Sequence, residues 1–157
     1  MKVEKRHEIL FTQLKSYRDY FLYELEDVTE KEAEIIPTGF KNNIRWNIGH
    51  VYIDQYLWVQ VLTKEKGHYP ESFNSWFGFR TSPKNFTADT PSFGQLKALL
   101  EEQPAKIQKQ YGNRLDEEFE PTEMGMYTLE QVLVRTIYHE GMHTQSILDL
   151  KKCIRAN

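Results

Sequence analysis

Apolar residues recur every three or four positions in four stretches of the chain, the spacing of a helix with one buried face. In the first, from about Glu4 to Glu26, this face is Leu10, Phe11, Leu14, Tyr17, Phe21 and Leu25. Pro37 and Gly39 break the chain before the second, which spans about Asn43 to Lys66. The Asn43 side chain is suited to cap this stretch and Gly67 to stop it. Two neighbouring stripes run along it: Ile44, Ile48, Val51, Trp58 and Leu62, then Trp46, His50, Ile53, Leu57 and Val61. Such a wide apolar surface predicts a largely buried helix. The third stretch opens on the capping-box pair Ser92 and Gln95 and continues through Leu96, Leu99, Leu100 and Ile107 to Gly112 and Asn113. Pro104 lies inside it and predicts a kink or a split. The fourth opens on a second capping box, Thr128 with Gln131, has a hydrophobic staple in Tyr127 and Val132, and runs to about Lys152.

From Gly67 to Pro91 no clean period exists, yet the segment holds Tyr69, Phe73, Trp76, Phe77, Phe79 and Phe86. A long irregular segment this aromatic is expected to fold over the bundle or to meet another chain. Leu115 to Tyr127 reads as a connector with a turn at Gly125. The whole pattern predicts an all-α protein, a four-helix bundle with a long aromatic-rich connection between its second and third helices, in one domain over residues 1–157.

Charge narrows the function classes. The chain has 20 basic and 23 acidic residues, a net charge of -3, and no long block of one sign. That is not the electrostatic footprint of a nucleic-acid binder. No apolar run approaches the ~18 residues of a membrane span, and the opening Met1 to His7 carries no signal-peptide stretch. A cytoplasmic protein is expected. The single Cys153 excludes an internal disulfide and a cysteine-rich zinc site. A chain of 157 residues can bury a core without a metal, so any metal is free to serve function.

The residues suited to that chemistry are histidines. His139 and His143 are one helical turn apart, ~40° around the axis, so both rings can reach one ion. They lie on the stripe Val132, Thr136, His139, His143, Ile147 and Leu150, which is mostly apolar and so faces inward. Two unpaired imidazoles in a core are costly, and a shared metal removes the cost. Imidazole nitrogen suits zinc, nickel, copper or iron. A third ligand is expected from His50, midway along the buried second helix, with His7 as the alternative; His68 falls in the irregular segment. His139-Glu140-Gly141-Met142-His143 also fits the HExxH pattern, in which Glu140 is the general base. The extended His-x-x-Gly-x-x-His form is missing, and without it Glu140 reads as a solvated helix residue. Asp54, one turn after His50, is placed to orient His50 or a bound water, and otherwise is a solvated carboxylate. Gln145 is a further polar candidate, and Arg80 reads as a surface arginine able to hold a substrate carboxylate.

Ile44-Arg45-Trp46-Asn47-Ile48-Gly49-His50 and Tyr138-His139-Glu140-Gly141-Met142-His143, at this separation, resemble the DinB/YfiT-like superfamily along nearly the whole chain. The resemblance implies a four-helix bundle in a variant up-and-down arrangement. It implies a divalent transition metal, nickel or zinc in most members, held here by His50, His139 and His143. It also implies a homodimer. Related members include thiol-S-transferases that use bacillithiol or a similar low-molecular-weight thiol, and a mycothiol-dependent isomerase. The function so implied is thiol transfer to an electrophilic small molecule. Metal-dependent hydrolysis and a non-enzymatic metal-binding or stress-response role are the alternatives. In one place the chain departs from the family pattern: Thr144-Gln145-Ser146-Ile147 stands where x-Gly-Gln-Ile is frequent.

Overall fold

The computed structural model describes residues 4–156, and the regular elements among them are helices. They are α1 (Lys5–Tyr23), α2 (Glu30–Ala33), α3 (Ile44–Thr63), α4 (Ser72–Phe77), a 3-10 turn at Pro83–Asn85, α5 (Phe93–Tyr111) and α6 (Leu129–Arg155). The protein is all-α as expected. The four long helices form a bundle in which α3 packs against α5 and α6, and α1 packs against the same two, so α1 and α3 stand at opposite corners. None of the described helices is long and apolar enough to cross a membrane.

Local chemistry sets the helix starts. The Trp46 N–H donates to Asn43 Oδ1 at 2.8 Å, and both expected capping boxes are formed at Ser92 and Thr128. A third box, Thr29 with Glu32, opens the short α2, which is too brief to show a period. At its far end α3 stops at Thr63, short of the expected Lys66, because Lys64 takes the left-handed conformation with φ 60° and closes the helix itself.

Pro104 does not split α5, which is helical from Phe93 to Tyr111. The amide hydrogen that proline lacks would have bonded the Leu100 carbonyl, four residues back. That carbonyl instead accepts Arg18 Nη1 at 2.7 Å. The buried face of α1 differs from expectation at the same place. Tyr17 is half exposed, and Arg18 takes the core position among Leu14, Phe21 and Leu25. Arg18 is able to sit there because every other long helix supplies it an acceptor: Glu140 from α6, Gln103 and the Leu100 carbonyl from α5, and Gln55 from α3.

The aromatic segment folds over the bundle. Phe73, Trp76 and Phe77 of α4 are buried against α3, while Phe79 just beyond them is 81% exposed. Arg155, the last residue of α6, donates to Asp27 and Glu32. Lys151 and then Arg155 hold the Asp27 carboxyl down to about 2, and Arg155 with the Thr29 amide does the same for Glu32. Carboxyls depressed in the folded state contribute stability above their ordinary range and lose it as pH falls toward 2. The contacts are solvent-exposed, so the expected effect is modest and screened by salt. Arg155→Ala is expected to flatten the fall in urea midpoint between about pH 4.5 and 2, relative to the unsubstituted chain, at low ionic strength.

Candidate metal centre

The segment Ile44-Arg45-Trp46-Asn47-Ile48-Gly49-His50 is the first two turns of α3, and it builds one wall of a histidine cluster. His50 is partly buried on α3; His139 and His143 face it from α6. One ligand nitrogen from each lies within 4.8 Å of the others, and His50 Nε2 is 3.2 Å from His139 Nε2. No carboxylate or thiolate stands with them as a fourth protein ligand in this cluster among the described residues.

The other nitrogen of each ring is held by an acceptor. His50 Nδ1 lies 2.7 Å from the Phe77 carbonyl, His139 Nδ1 3.0 Å from Asp54 Oδ2, and His143 Nδ1 2.7 Å from Asn47 Oδ1. A carbonyl and a carboxylate can only accept, so His50 and His139 carry their hydrogens on Nδ1. Asn47 donates its Nδ2 to the Asn43 carbonyl at 2.8 Å, which fixes its oxygen toward His143 and gives that ring the same tautomer. All three Nε2 lone pairs then converge on one another. Bare lone pairs 3.2 Å apart repel, and the arrangement is favourable with a cation among them. The donor set therefore fits a divalent transition metal bound by neutral imidazoles, with the outer hydrogen bonds that orient such ligands already in place.

Electrostatics agree with neutral rings at His50 and His143. Burial lowers the His50 pKa despite the hydrogen bond to Phe77. Burial, together with the neighbouring His139 and His50, takes His143 down to about 3. Burial raises Asp54, but the hydrogen bond from His139 and the charges of His139 and Arg135 outweigh it and hold the carboxyl below its ordinary value.

The sequence places Asp54 to orient His50 or a bound water; its side chain is the partner of His139. Its remaining acceptor capacity is used by Arg135 Nη1 at 2.8 Å and Trp58 Nε1 at 3.2 Å, and Arg135 in turn lies over the Trp58 ring, 4.3 Å from its centroid. It is buried, not solvated. Glu140 is also buried, but it points away from a base role: its two oxygens accept from Arg18 Nε at 2.7 Å and Nη2 at 3.1 Å. Gln145 is exposed and donates to Asp149. Arg80 is exposed, with φ 67°, and lies over the Phe79 ring. His68 bonds Tyr111 and Gln110. His7 belongs to a different cluster, with Glu4 and Asp116.

The supports were less visible in the sequence than the ligands. Trp46 stacks on His50 with centroids 4.7 Å apart and planes 10° from parallel, and its Nε1 donates to Thr81. Gly49 lets α4 approach: a Cβ there would lie 2.3 Å from the Phe77 ring. Phe77 is the residue whose carbonyl holds His50, so Gly49→Ala should push it away and release the ring. The expected result is a loss of about 1–3 kcal/mol in urea unfolding together with weaker metal binding by calorimetry. Asp54→Asn and Asn47→Ala touch no Nε2 and should each weaken metal binding by about 10–100-fold, read by competition against a chelator.

The comparisons with known proteins give the family and the fold. The family model described as DinB superfamily matches residues 13–147. The chain belongs to the DinB superfamily. That match spans α3 and both histidines of α6. Among solved structures, a conserved protein from Enterococcus faecalis superposes with a TM-score of 0.68 over 100% of this chain and 99% of that one, at 16% sequence identity. That likeness concerns the fold. No curated protein matches the chain. The DinB family is metal-binding in general, and the histidine cluster is the candidate ligand group here.

Proposed function

We propose that this DinB-like protein is a metal-dependent enzyme that transfers a low-molecular-weight thiol to an electrophilic small molecule, with nickel or zinc held by His50, His139 and His143. The observation that carries the reading is the convergence of three Nε2 atoms whose rings are each locked from behind. Three protein ligands leave a coordination position for a substrate, as catalytic sites do. The ion's Lewis acidity would lower the pKa of a thiol enough to give a nucleophile at neutral pH.

The chain's own residues favour thiol transfer over hydrolysis of the HExxH kind. That hydrolysis needs a carboxylate free to take a proton from water, and Glu140 is tied to Arg18 while Asp54 is tied to His139, Arg135 and Trp58. A thiol loses its proton to solvent without such a base. In the reaction with a chlorinated probe of the monochlorobimane type, the sulfur forms a carbon–sulfur bond, chloride leaves with its electron pair, and the thiol proton goes to buffer. His139, oriented by Asp54, and His50, stacked on Trp46, keep their positions throughout.

The test mixes the nickel- or zinc-loaded protein with a small thiol and the fluorogenic electrophile. Conjugation above the spontaneous rate, lost in His50→Ala, is the expected result. Turnover of an ester or amide with no thiol present, and no conjugation, would replace thiol transfer by hydrolysis. Binding of metal with neither activity would leave the non-enzymatic reading.

A further inference from the structure

A second cluster of metal-ligating side chains lies where the start of α1 meets the connector after α5 and the first turn of α6. Glu4 stands at the N-cap position of α1, His7 follows in its first turn, Asp116 comes from the connector and Glu130 from α6. Donor atoms of Glu4, His7 and Asp116 all lie within 4.8 Å of one another. None of these residues belongs to the three-histidine centre.

His7 is the informative member. It is only 5% exposed, and its Nε2 has no hydrogen-bond partner among the described residues. This nitrogen faces carboxylates, 3.4 Å from Asp116 Oδ1 and 3.8 Å from Glu130 Oε2. Buried polar atoms without partners are rare in folded proteins. The carboxylates have found a partner: Arg6 donates to Glu4 Oε2 and Glu130 Oε2, each at 2.7 Å, and to Asp116 Oδ1. The Arg6 side chain is 51% exposed, against 7% for that of His7. It pairs with all three acids, offsets only part of their charge and leaves His7 unsatisfied.

We propose that Glu4, His7 and Asp116, with Glu130 beside them, form a second divalent-cation site, which Arg6 closes when no ion is bound. One imidazole nitrogen and several carboxylate oxygens make a harder donor set than three histidines, suited to zinc, cobalt or manganese. A bound ion satisfies His7 and takes over the charge balance from Arg6, whose long side chain turns out to solvent. It also ties the start of α1 to the connector and to the start of α6.

The test is a Co²⁺ titration of the metal-free full-length chain, followed by calorimetry and by visible absorption. The unsubstituted protein is expected to bind two equivalents. His7→Asn and Asp116→Asn should each lose one equivalent and keep the one that His50→Ala removes. Asp116 is half exposed, so its variant keeps the test readable where His7→Asn folds poorly. Arg6→Ala should keep both equivalents and tighten the second about tenfold, since it removes a competing cation. One equivalent that His50→Ala abolishes, two equivalents retained in both His7→Asn and Asp116→Asn, or no tightening in Arg6→Ala would each overturn the proposal. One equivalent that survives His50→Ala and is lost in His7→Asn would uphold this site while removing the three-histidine centre.

Discussion

His143→Ala is expected to take bound metal from about one equivalent at the histidine centre to a small fraction of that, and His50→Ala to do the same. Each substitution removes one of three nitrogens and leaves two, and no carboxylate stands in the cluster to replace it. The loss is read by elemental analysis after gel filtration. Linkage gives an independent reading: an ion present at a thousand times its Kd stabilises the folded state by about 4 kcal/mol. Adding Ni²⁺ or Zn²⁺ should therefore raise the melting temperature of the unsubstituted chain, and the two variants should give up the share of that rise that the histidine centre supplies. His7→Asn removes a residue of the other cluster only, so it should keep the equivalent at the histidine centre. If His50→Ala keeps the metal of the histidine centre and the full thermal shift, the assignment of these ligands fails. Metal binding should also weaken as pH falls, since protonated imidazoles do not ligate. His143, with a pKa near 3 before any metal is bound, is not the ring that sets the upper end of that range.

How much of this was legible beforehand follows from what a period can show. Helical spacing marks a residue's face, so it brought out the four long helices and placed His139 and His143 together on an inward stripe. It cannot say which residues of a neighbouring helix lie opposite. For that reason the sequence offers Asp54 to His50, on its own helix, or to a bound water, while its partner is His139 across the α3–α6 interface. Asn47 is the same kind of case: as a lone polar residue it carries no signal, and its role exists only where α6 brings His143 within reach. The Phe77 carbonyl is backbone and leaves no trace in residue type at all. Gly49 left a faint one, a glycine inside an apolar helix, which costs about 1 kcal/mol against alanine and so asks for a packing reason. The aromatic segment had no period because it is a six-residue helix and a 3-10 turn, each shorter than the window in which a period is visible. Arg18 and Glu140 did leave a signal: each is a charged residue in phase with an apolar stripe, of opposite sign, on two different helices.

That pair carries the second large effect. Arg18 and Glu140 are 1% and 4% exposed, and they meet through two hydrogen bonds in the middle of the bundle. Charge taken from water is costly, and the pair is tolerable because its geometry is good and the remaining guanidinium hydrogens reach Gln103, Gln55 and the Leu100 carbonyl. Removing one partner strands the other. Arg18→Met leaves a buried carboxylate and the Leu100 carbonyl that Pro104 cannot satisfy, and about 3–5 kcal/mol of stability should be lost. For a chain of this size that is a fall in melting temperature of roughly 6–20 °C. Glu140→Leu strands the arginine and should cost a similar amount. The double variant removes both charges, so its loss should be well below the sum of the two, the departure from additivity measuring the coupling. It should not vanish, because the Leu100 carbonyl and the two glutamines still lose their donor, and a buried polar group left unpaired costs free energy. Metal binding separates this role from a catalytic one. Glu140 follows His139 directly, yet its carboxylate turns to Arg18, so the folded double variant should still bind one equivalent at the histidine centre. Strict additivity in urea unfolding would show that the two charges do not act as a pair.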